Sequence, residues 1–196
     1  MCGNARPRHR VDRGLVKPII SPHIRIRHPE FFVVGQDSII DDFCYFSTKV
    51  EIGYCCHIAS CCTIAGGAAR QFRLGDYSSI SAGVRIWCTS DDFVNDVVAI
   101  IPEAAGPVKE NLIFGDVELG AYTAVGANSV VMPRNCIPEG TTIGAMSFVP
   151  VEFPFEAWSV YAGIPIRLVA KRNRPQVLAQ VEKINSAMKH TGVPNA

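Results

Sequence analysis

Residues 40–64 read IDDFCYFSTKVEIGYCCHIASCCTI, and every sixth residue of this stretch is large and apolar. The positions are Ile40, Phe46, Ile52, Ile58 and Ile64. A spacing of six fits neither the 3.6-residue period of an α-helix nor the two-residue alternation of one long strand. It is typical of short strands joined by turns, in which each strand buries one large side chain.

The same period extends along most of the chain, with a four-residue slip after Ile64 and a longer break after Ile86. Its other members are Val34, Leu74, Ile80, Ile86, Ile113, Leu119, Val125, Val131, Ile137, Ile143 and Val149. Three such strands close a triangular coil, and coils stack ~4.8 Å apart through backbone hydrogen bonds. The repeat therefore predicts an all-β solenoid, a parallel β-helix of about five coils over residues 31–153.

Two Cys-Cys pairs, at positions 55–56 and 61–62, flank His57 and raise the question of a metal site. Cys44, Cys56 and Cys62 occupy the small inward position of the repeat, where a free cysteine acts as a compact hydrophobic residue. Cys55 and Cys61 precede them and should point outward. Residues six apart lie on different faces, so the pairs diverge, whereas zinc ligands must converge. We expect core packing and no metal.

Composition indicates one globular domain, with 48% hydrophobic residues and a net charge of +1 among 196 residues. Nothing in this balance favours nucleic acid, and no apolar run is long enough for membrane insertion. Residues 1–30 form a basic N-terminal extension with seven basic and two acidic side chains. No apolar segment follows it as in a secretory signal, so a cytoplasmic location is expected.

The longer break predicts a loop over residues 91–112, and long loops on rigid scaffolds are often functional. It contains Asp91, Asp92 and Asp96 and the apolar run 97–101. The loop either packs its apolar part on a neighbouring subunit or supplies an acid–base group, and the two interpretations are compatible. Residues 154–196 read as a closing segment and an amphipathic helix that ends near Gly192.

Three local stretches strengthen the pattern: ISAGVRIWCTSDDF at 80–93, VGANSVVMP at 125–133 and WSVYAGIPIRLVAKR at 158–172. With the repeat, they resemble the left-handed β-helix, or hexapeptide-repeat, acyltransferases, in the sugar O- and N-acetyltransferase branch of surface-polysaccharide biosynthesis. The resemblance implies a left-handed coil, a homotrimer and an acetyl-CoA groove between adjacent prisms. It also implies a sugar acceptor, such as a nucleotide-linked sugar for lipopolysaccharide O-antigen.

The resemblance also assigns residues. Ala127 and Ala145 are expected to present backbone groups to the pantetheine arm of CoA, and Arg167 and Lys171 to lie near its phosphates. Many family members carry a catalytic histidine just after the strand that corresponds to Ile86. Here Ser90, Asp91 and Asp92 stand in that place, and residues 80–170 contain no histidine.

The missing histidine affects which group of the acceptor sugar we expect to be acetylated. A sugar hydroxyl is a very weak acid, and a histidine suits it as general base. An amine is partly neutral near pH 8, and a carboxylate can orient it and accept its proton late. Asp91 or Asp92 with Ser90 therefore favours N-acetylation of an amino sugar, with O-acetylation as the alternative.

Three other classes remain to be weighed against this hypothesis. A γ-class carbonic-anhydrase-like enzyme needs three histidine ligands, and the coils offer His57 alone. A CoA enzyme with a cysteine nucleophile would use Cys88, beside the loop. A non-catalytic solenoid would explain the missing histidine, but it would not explain the long loop or the basic closing segment.

Overall fold

Short parallel strands dominate the chain, because each six-residue unit can extend for only two or three residues before the next turn. The structure is a computed structural model that describes residues 16–106 and 111–190. In chain order the strands are β1 (Ile19–Ile20), β2 (Arg25–Ile26), β3 (Phe32–Val34), β4 (Ile39–Ile40), β5 (Tyr45–Ile52), β6 (His57–Ile58), β7 (Thr63–Leu74), β8 (Ser79–Ile80), β9 (Arg85–Trp87), β10 (Thr89–Asp91), β11 (Leu112–Phe114), β12 (Val117–Leu119), β13 (Ala124–Val125), β14 (Val130–Val131), β15 (Cys136–Ile137), β16 (Thr142–Ile143), β17 (Phe148–Val149), β18 (Ser159–Ala162) and β19 (Arg167–Lys171). Helix α1 (Arg174–His190) follows them.

The strands stack into three faces of a prism. The first face contains β1, β4, β6, β8, β13, β16 and β18. The second face contains β2, the first halves of β5 and β7, and then β9, β14 and β17. The third face contains β3, the second halves of β5 and β7, and then β12 and β15. All these pairs are parallel, which confirms a parallel β-solenoid.

The solenoid has about seven turns, so the prediction of about five was too low. One additional turn comes from β1 and β2, which lie inside the predicted N-terminal extension and pair with β4 and β5. Another comes from β18, inside the predicted closing segment, which pairs with β16. Residues 1–15 of the predicted extension lie outside the described residues.

The large residues of the repeat stand directly above one another in the core. Ile40 pairs with Ile58, and Ile58 pairs with Ile80, so successive coils are in register. Cys44, Cys56 and Cys62 are buried with them, which confirms their structural role. Cys55 and Cys61 are less buried and occupy left-handed turn positions with φ of 54° and 62°.

The second break differs from the expected register. Ile113 lies in β11, opposite Ser90 of β10, and takes no part in the coil. The coil resumes in β12, where Leu119 pairs with Leu74 of the third face. Ile113 fits the six-residue period only because it lies six residues before Leu119, on the strand by which the loop returns to the solenoid.

Helix α1 packs on the corner between the third and first faces. Its Val177, Leu178 and Val181 cluster with aromatic residues that stack up this corner. The stack consists of Tyr54, Tyr77, Tyr122 and Trp158, with successive ring centroids 4.9, 5.8 and 6.0 Å apart. The predicted helix end at Gly192 lies outside the described residues. Among the described helices, none has the length and apolarity needed to cross a membrane.

Candidate active site

The loop leaves the solenoid through a short antiparallel hairpin. Strand β10 pairs with β11, with Asp91 opposite Leu112, so the outgoing and returning chains are held together at the corner between the second and third faces. The Asp92 N–H donates to the Asn111 carbonyl at 2.7 Å and continues this pairing by one residue. The buried Asn111 side chain donates to the Ala99 carbonyl at 2.6 Å. The base of the loop is therefore fixed by polar contacts.

Asp92 organises the start of the loop. Its Oδ1 accepts the N–H groups of Val94 and Asn95 at 2.9 and 3.1 Å, and its Oδ2 accepts the Asn95 side-chain amide. The Asn95 side-chain hydrogen bond, with the two backbone N–H groups, lowers the pKa of Asp92 below its ordinary value. The residue is only 7% exposed. These contacts suit a residue that holds the loop better than one that accepts protons.

Asp91 differs from its neighbour. It is half-buried on β10, and none of the described residues donates a hydrogen bond to its carboxylate. The Ser90 hydroxyl donates to the Asp91 carbonyl oxygen at 3.1 Å, so it contributes to the backbone and not to the acid group. Of the two carboxylates predicted here, that of Asp91 is the one without a hydrogen-bond donor among the described residues.

Ala127 and Ala145 lie together at the first corner, the turns between the first and second faces (residues 59–61, 81–83, 126–128 and 144–146). The Met146 N–H donates to the Ala127 carbonyl at 2.9 Å, which stacks the two turns directly. No group of the described residues accepts the N–H of Ala127 or Ala145. Two backbone donors, one coil apart, are therefore available along this corner, the kind of group that the amides of a pantetheine arm can bond.

The two basic residues assigned to CoA are separated by the structure. Arg167 stands opposite Ala162, at the end of β19 near the first corner. Lys171 stands opposite Ser159, four residues away and about 13 Å along the strand. Its Nζ contacts Glu156 Oε2 at 2.5 Å and Ser159 Oγ at 3.0 Å. Arg167 thus lies at the end of β19 that is nearer the first corner, and Lys171 lies at the other end.

The remaining candidates have structural environments. Cys88 is fully buried, and burial raises the pKa of its thiol to about 12, so little thiolate exists to act as a nucleophile. His57 contacts Asp41 through Nε2 and Oδ2 at 3.0 Å on the first face. No group of three histidine, cysteine, aspartate or glutamate residues that could hold a metal occurs in the described part of the chain.

No protein-family model matches the sequence. A dTDP-4-amino-4,6-dideoxy-D-glucose acyltransferase of Escherichia coli is 30% identical over 146 residues, which cover 72% of each chain. AntD, an N-acyltransferase from Bacillus cereus, has been solved as a variant with dTDP-4-amino-4,6-dideoxyglucose and CoA, with a TM-score of 0.77 and 31% identity over 87% of this chain and 88% of that one. AntD with dTDP and 3-hydroxybutyryl-CoA gives a TM-score of 0.76 and the same identity and coverage.

Some of the AntD structures are of variants at two positions. They include replacements of one serine and of one aspartate ten residues further along. In this chain Ser81 and Asp91 are ten residues apart, and no other serine of the sequence precedes an aspartate by that distance. Ser81 is half-buried at the first corner, where its N–H donates to the Val125 carbonyl.

The chain thus resembles these relatives in sequence and in fold over most of its length. The chain therefore belongs to the hexapeptide-repeat sugar acyltransferases, in the branch that transfers acyl groups from CoA to the amino group of nucleotide-linked sugars.

Proposed function

We propose that this protein transfers an acetyl group from acetyl-CoA to the 4-amino group of a dTDP-linked 4-amino-4,6-dideoxyhexose. Two relatives support this choice of acceptor sugar, since one is named for this substrate and the other was solved with it bound. One observation of this chain carries the choice of an amine. Asp91 presents an open carboxylate beside the loop, and residues 80–170 lack a histidine that could activate a hydroxyl.

The reaction does not require a strong base. The neutral amine nitrogen attacks the thioester carbonyl carbon and acquires positive charge as the C–N bond forms. Asp91 accepts the proton that the nitrogen then loses, the C–S bond breaks, and the proton passes to the departing CoA thiolate. A backbone N–H stabilises the oxyanion of the tetrahedral intermediate. A carboxylate suffices because the proton becomes acidic only after attack.

We assign the neighbouring roles from the geometry. Ser81 is a hydrogen-bonding partner of the acceptor, which its ten-residue spacing from Asp91 supports. The free N–H groups of Ala127 and Ala145 bind the pantetheine arm, and Arg167 binds a CoA phosphate. Lys171, with its ion pair to Glu156, has no direct role in this proposal.

The proposed active unit is a homotrimer with the site between neighbouring prisms. Ser81 and Asp91 lie at different corners, and the second face between them is several residues wide at about 3.3 Å per residue. A groove between two copies would bring one corner to the other copy's loop. Phe93, Val94 and Ile100 of the loop are 76%, 88% and 80% exposed, an apolar surface that suits contact with a second chain.

The proposed setting is the cytoplasm, where the acylated sugar nucleotide would supply the synthesis of a surface glycan such as lipopolysaccharide O-antigen. The acceptor class supports this proposal, because a sugar still linked to its nucleotide is a glycosyl donor awaiting transfer.

Calorimetric titration with CoA and acetyl-CoA tests the cosubstrate. We expect saturable binding near one site per chain. Arg167→Gln should weaken CoA binding about tenfold, the usual size of a charge-assisted hydrogen bond, and the matched Lys171→Gln variant should bind as the wild type does. Absence of binding up to millimolar CoA would contradict the proposal and favour a non-catalytic solenoid. Parallel titrations with 3-hydroxybutyryl-CoA test the choice of acetyl.

A further inference from the structure

Arg85 is held at the first corner by main-chain oxygens. Its Nη1 donates to the carbonyls of Cys61 and Gly83, both at 2.7 Å, and approaches that of Val84 at 3.4 Å. Across residues 16–106 and 111–190, no carboxylate lies within ion-pair distance of this guanidinium. The carbonyls fix the position of the charge without neutralising it.

The neighbours of Arg85 on its own face provide no counter-ion. The side chains in register with it on the second face are Thr63 and Tyr45 on one side and Val130 and Phe148 on the other, none of them acidic. On the third face, by contrast, Arg73 contacts Glu51 at 3.3 Å and is neutralised within the chain. The charge of Arg85 is therefore available to an anion that reaches this corner.

The hydrogen bonds from Nη1 to the main-chain carbonyls also orient the guanidinium. With Nη1 occupied by carbonyls, Nε and Nη2 donate to none of the described residues, and they form one edge of a planar fork. Such an edge matches two oxygens of a phosphate.

We infer that Arg85 binds a phosphate of the nucleotide-linked acceptor, an inference that rests on the proposed function for the identity of that acceptor. Arg85 contacts Gly83, two residues from Ser81, the proposed partner of the sugar. In a 4-amino sugar nucleotide, the phosphate on the anomeric carbon lies across the ring from the amine. A residue beside Ser81 is therefore placed for that phosphate, whereas the CoA phosphates lie beyond the pantetheine arm, towards Arg167.

Calorimetric titration of the full-length protein with dTDP tests the inference. Arg85→Gln keeps a donor for the corner carbonyls but removes the charge, and it should weaken dTDP binding about 10- to 100-fold. Arg85→Lys should weaken dTDP binding less than Arg85→Gln does, because lysine keeps the positive charge but lacks the planar fork of donors. CoA affinity should stay unchanged in both variants. Arg73→Gln, which removes an arginine that is already paired, should bind dTDP as the wild type does.

Kinetics provide a second readout. Arg85→Gln should raise KM for the dTDP-linked amino sugar by a similar factor and leave the rate with the same amino sugar lacking its nucleotide unchanged. If the wild type does not bind dTDP, the proposed acceptor class is wrong and the inference falls with it. If the wild type binds dTDP and Arg85→Gln binds it equally well, the inference alone is wrong. If Arg85→Gln weakens dTDP and CoA binding equally and also lowers the Tm, Arg85 only stabilises the first corner, and the inference is wrong.

Discussion

The stacked coils and the loop of residues 92–111 are organised by different rules. In the coils, a side chain's place follows from its position in the repeat, as Ile58 pairs with Ile80 in the next coil. In the loop, order comes from local polar contacts such as those of Asp92 and Asn111. Asp91 stands where the two meet, on a hairpin strand anchored to the rigid prism. The rigid part fixes the position of Asp91, and the loop begins at the next residue.

The largest effect should come from the core of the coils. Ile64→Ala removes most of a fully buried side chain and should lower the free energy of unfolding by about 2–5 kcal/mol. Thr63→Ala, on the outward side of the same strand, should cost less than about 1 kcal/mol. Chemical denaturation at matched protein concentration measures both. Equal losses would contradict the assigned register.

Replacing the acid of the hairpin should affect chemistry and leave the fold intact. Asp91→Asn keeps the shape of the side chain but removes the proton acceptor, so kcat should fall about 100-fold. CoA affinity and Tm should match those of the wild type. Steady-state kinetics with saturating acetyl-CoA provide the measurement, and a wild-type kcat would exclude Asp91 as the base.

The neighbouring acid should matter less. Asp92→Asn retains an oxygen that can accept the N–H groups of Val94 and Asn95, so kcat should fall less than about fivefold. The exposed Asp96, changed to asparagine, serves as a control and should have no effect. A larger loss for Asp92→Asn than for Asp91→Asn would reverse the roles of the two aspartates.

The smallest effect concerns pH. The pKa of Asp92 in the folded protein lies below its ordinary value of 3.8, so the stabilisation that its carboxylate gives the loop is fully present above that value. It is lost only as pH falls through the lower, folded-state pKa. The NMR shifts of the Val94 and Asn95 amides should therefore stay constant from pH 7 to about 4.5. A titration midpoint above about 4.5 would disagree with the observed hydrogen bonds.

Sequence reasoning succeeded where the repeat governs the structure. The period of six predicts the solenoid and the inward cysteines, because stacking imposes one side-chain rule on every coil. It failed at the ends of the repeat, where β1 and β18 join coils without the full pattern. It also failed at Ile113, because a returning loop strand has the same apolar spacing as a coil.

The site was predictable in part. The sequence places two candidate acids where the family carries a histidine, but it could not separate Asp91 from Asp92. That distinction depends on whether the carboxylate bonds nearby N–H groups, which the turn at Asn95 decides. The separation of Arg167 from Lys171 was equally hidden, because it depends on the antiparallel direction of β19.

The most direct test of the account is acyl transfer followed by mass spectrometry. The purified protein is incubated with acetyl-CoA and either dTDP-4-amino-4,6-dideoxyglucose or the same nucleotide sugar with a hydroxyl at carbon 4. The account predicts that the amino sugar gains one acetyl group and that the hydroxyl compound does not react at a comparable rate. Acetylation of the hydroxyl compound alone would contradict it and make the protein an O-acetyltransferase.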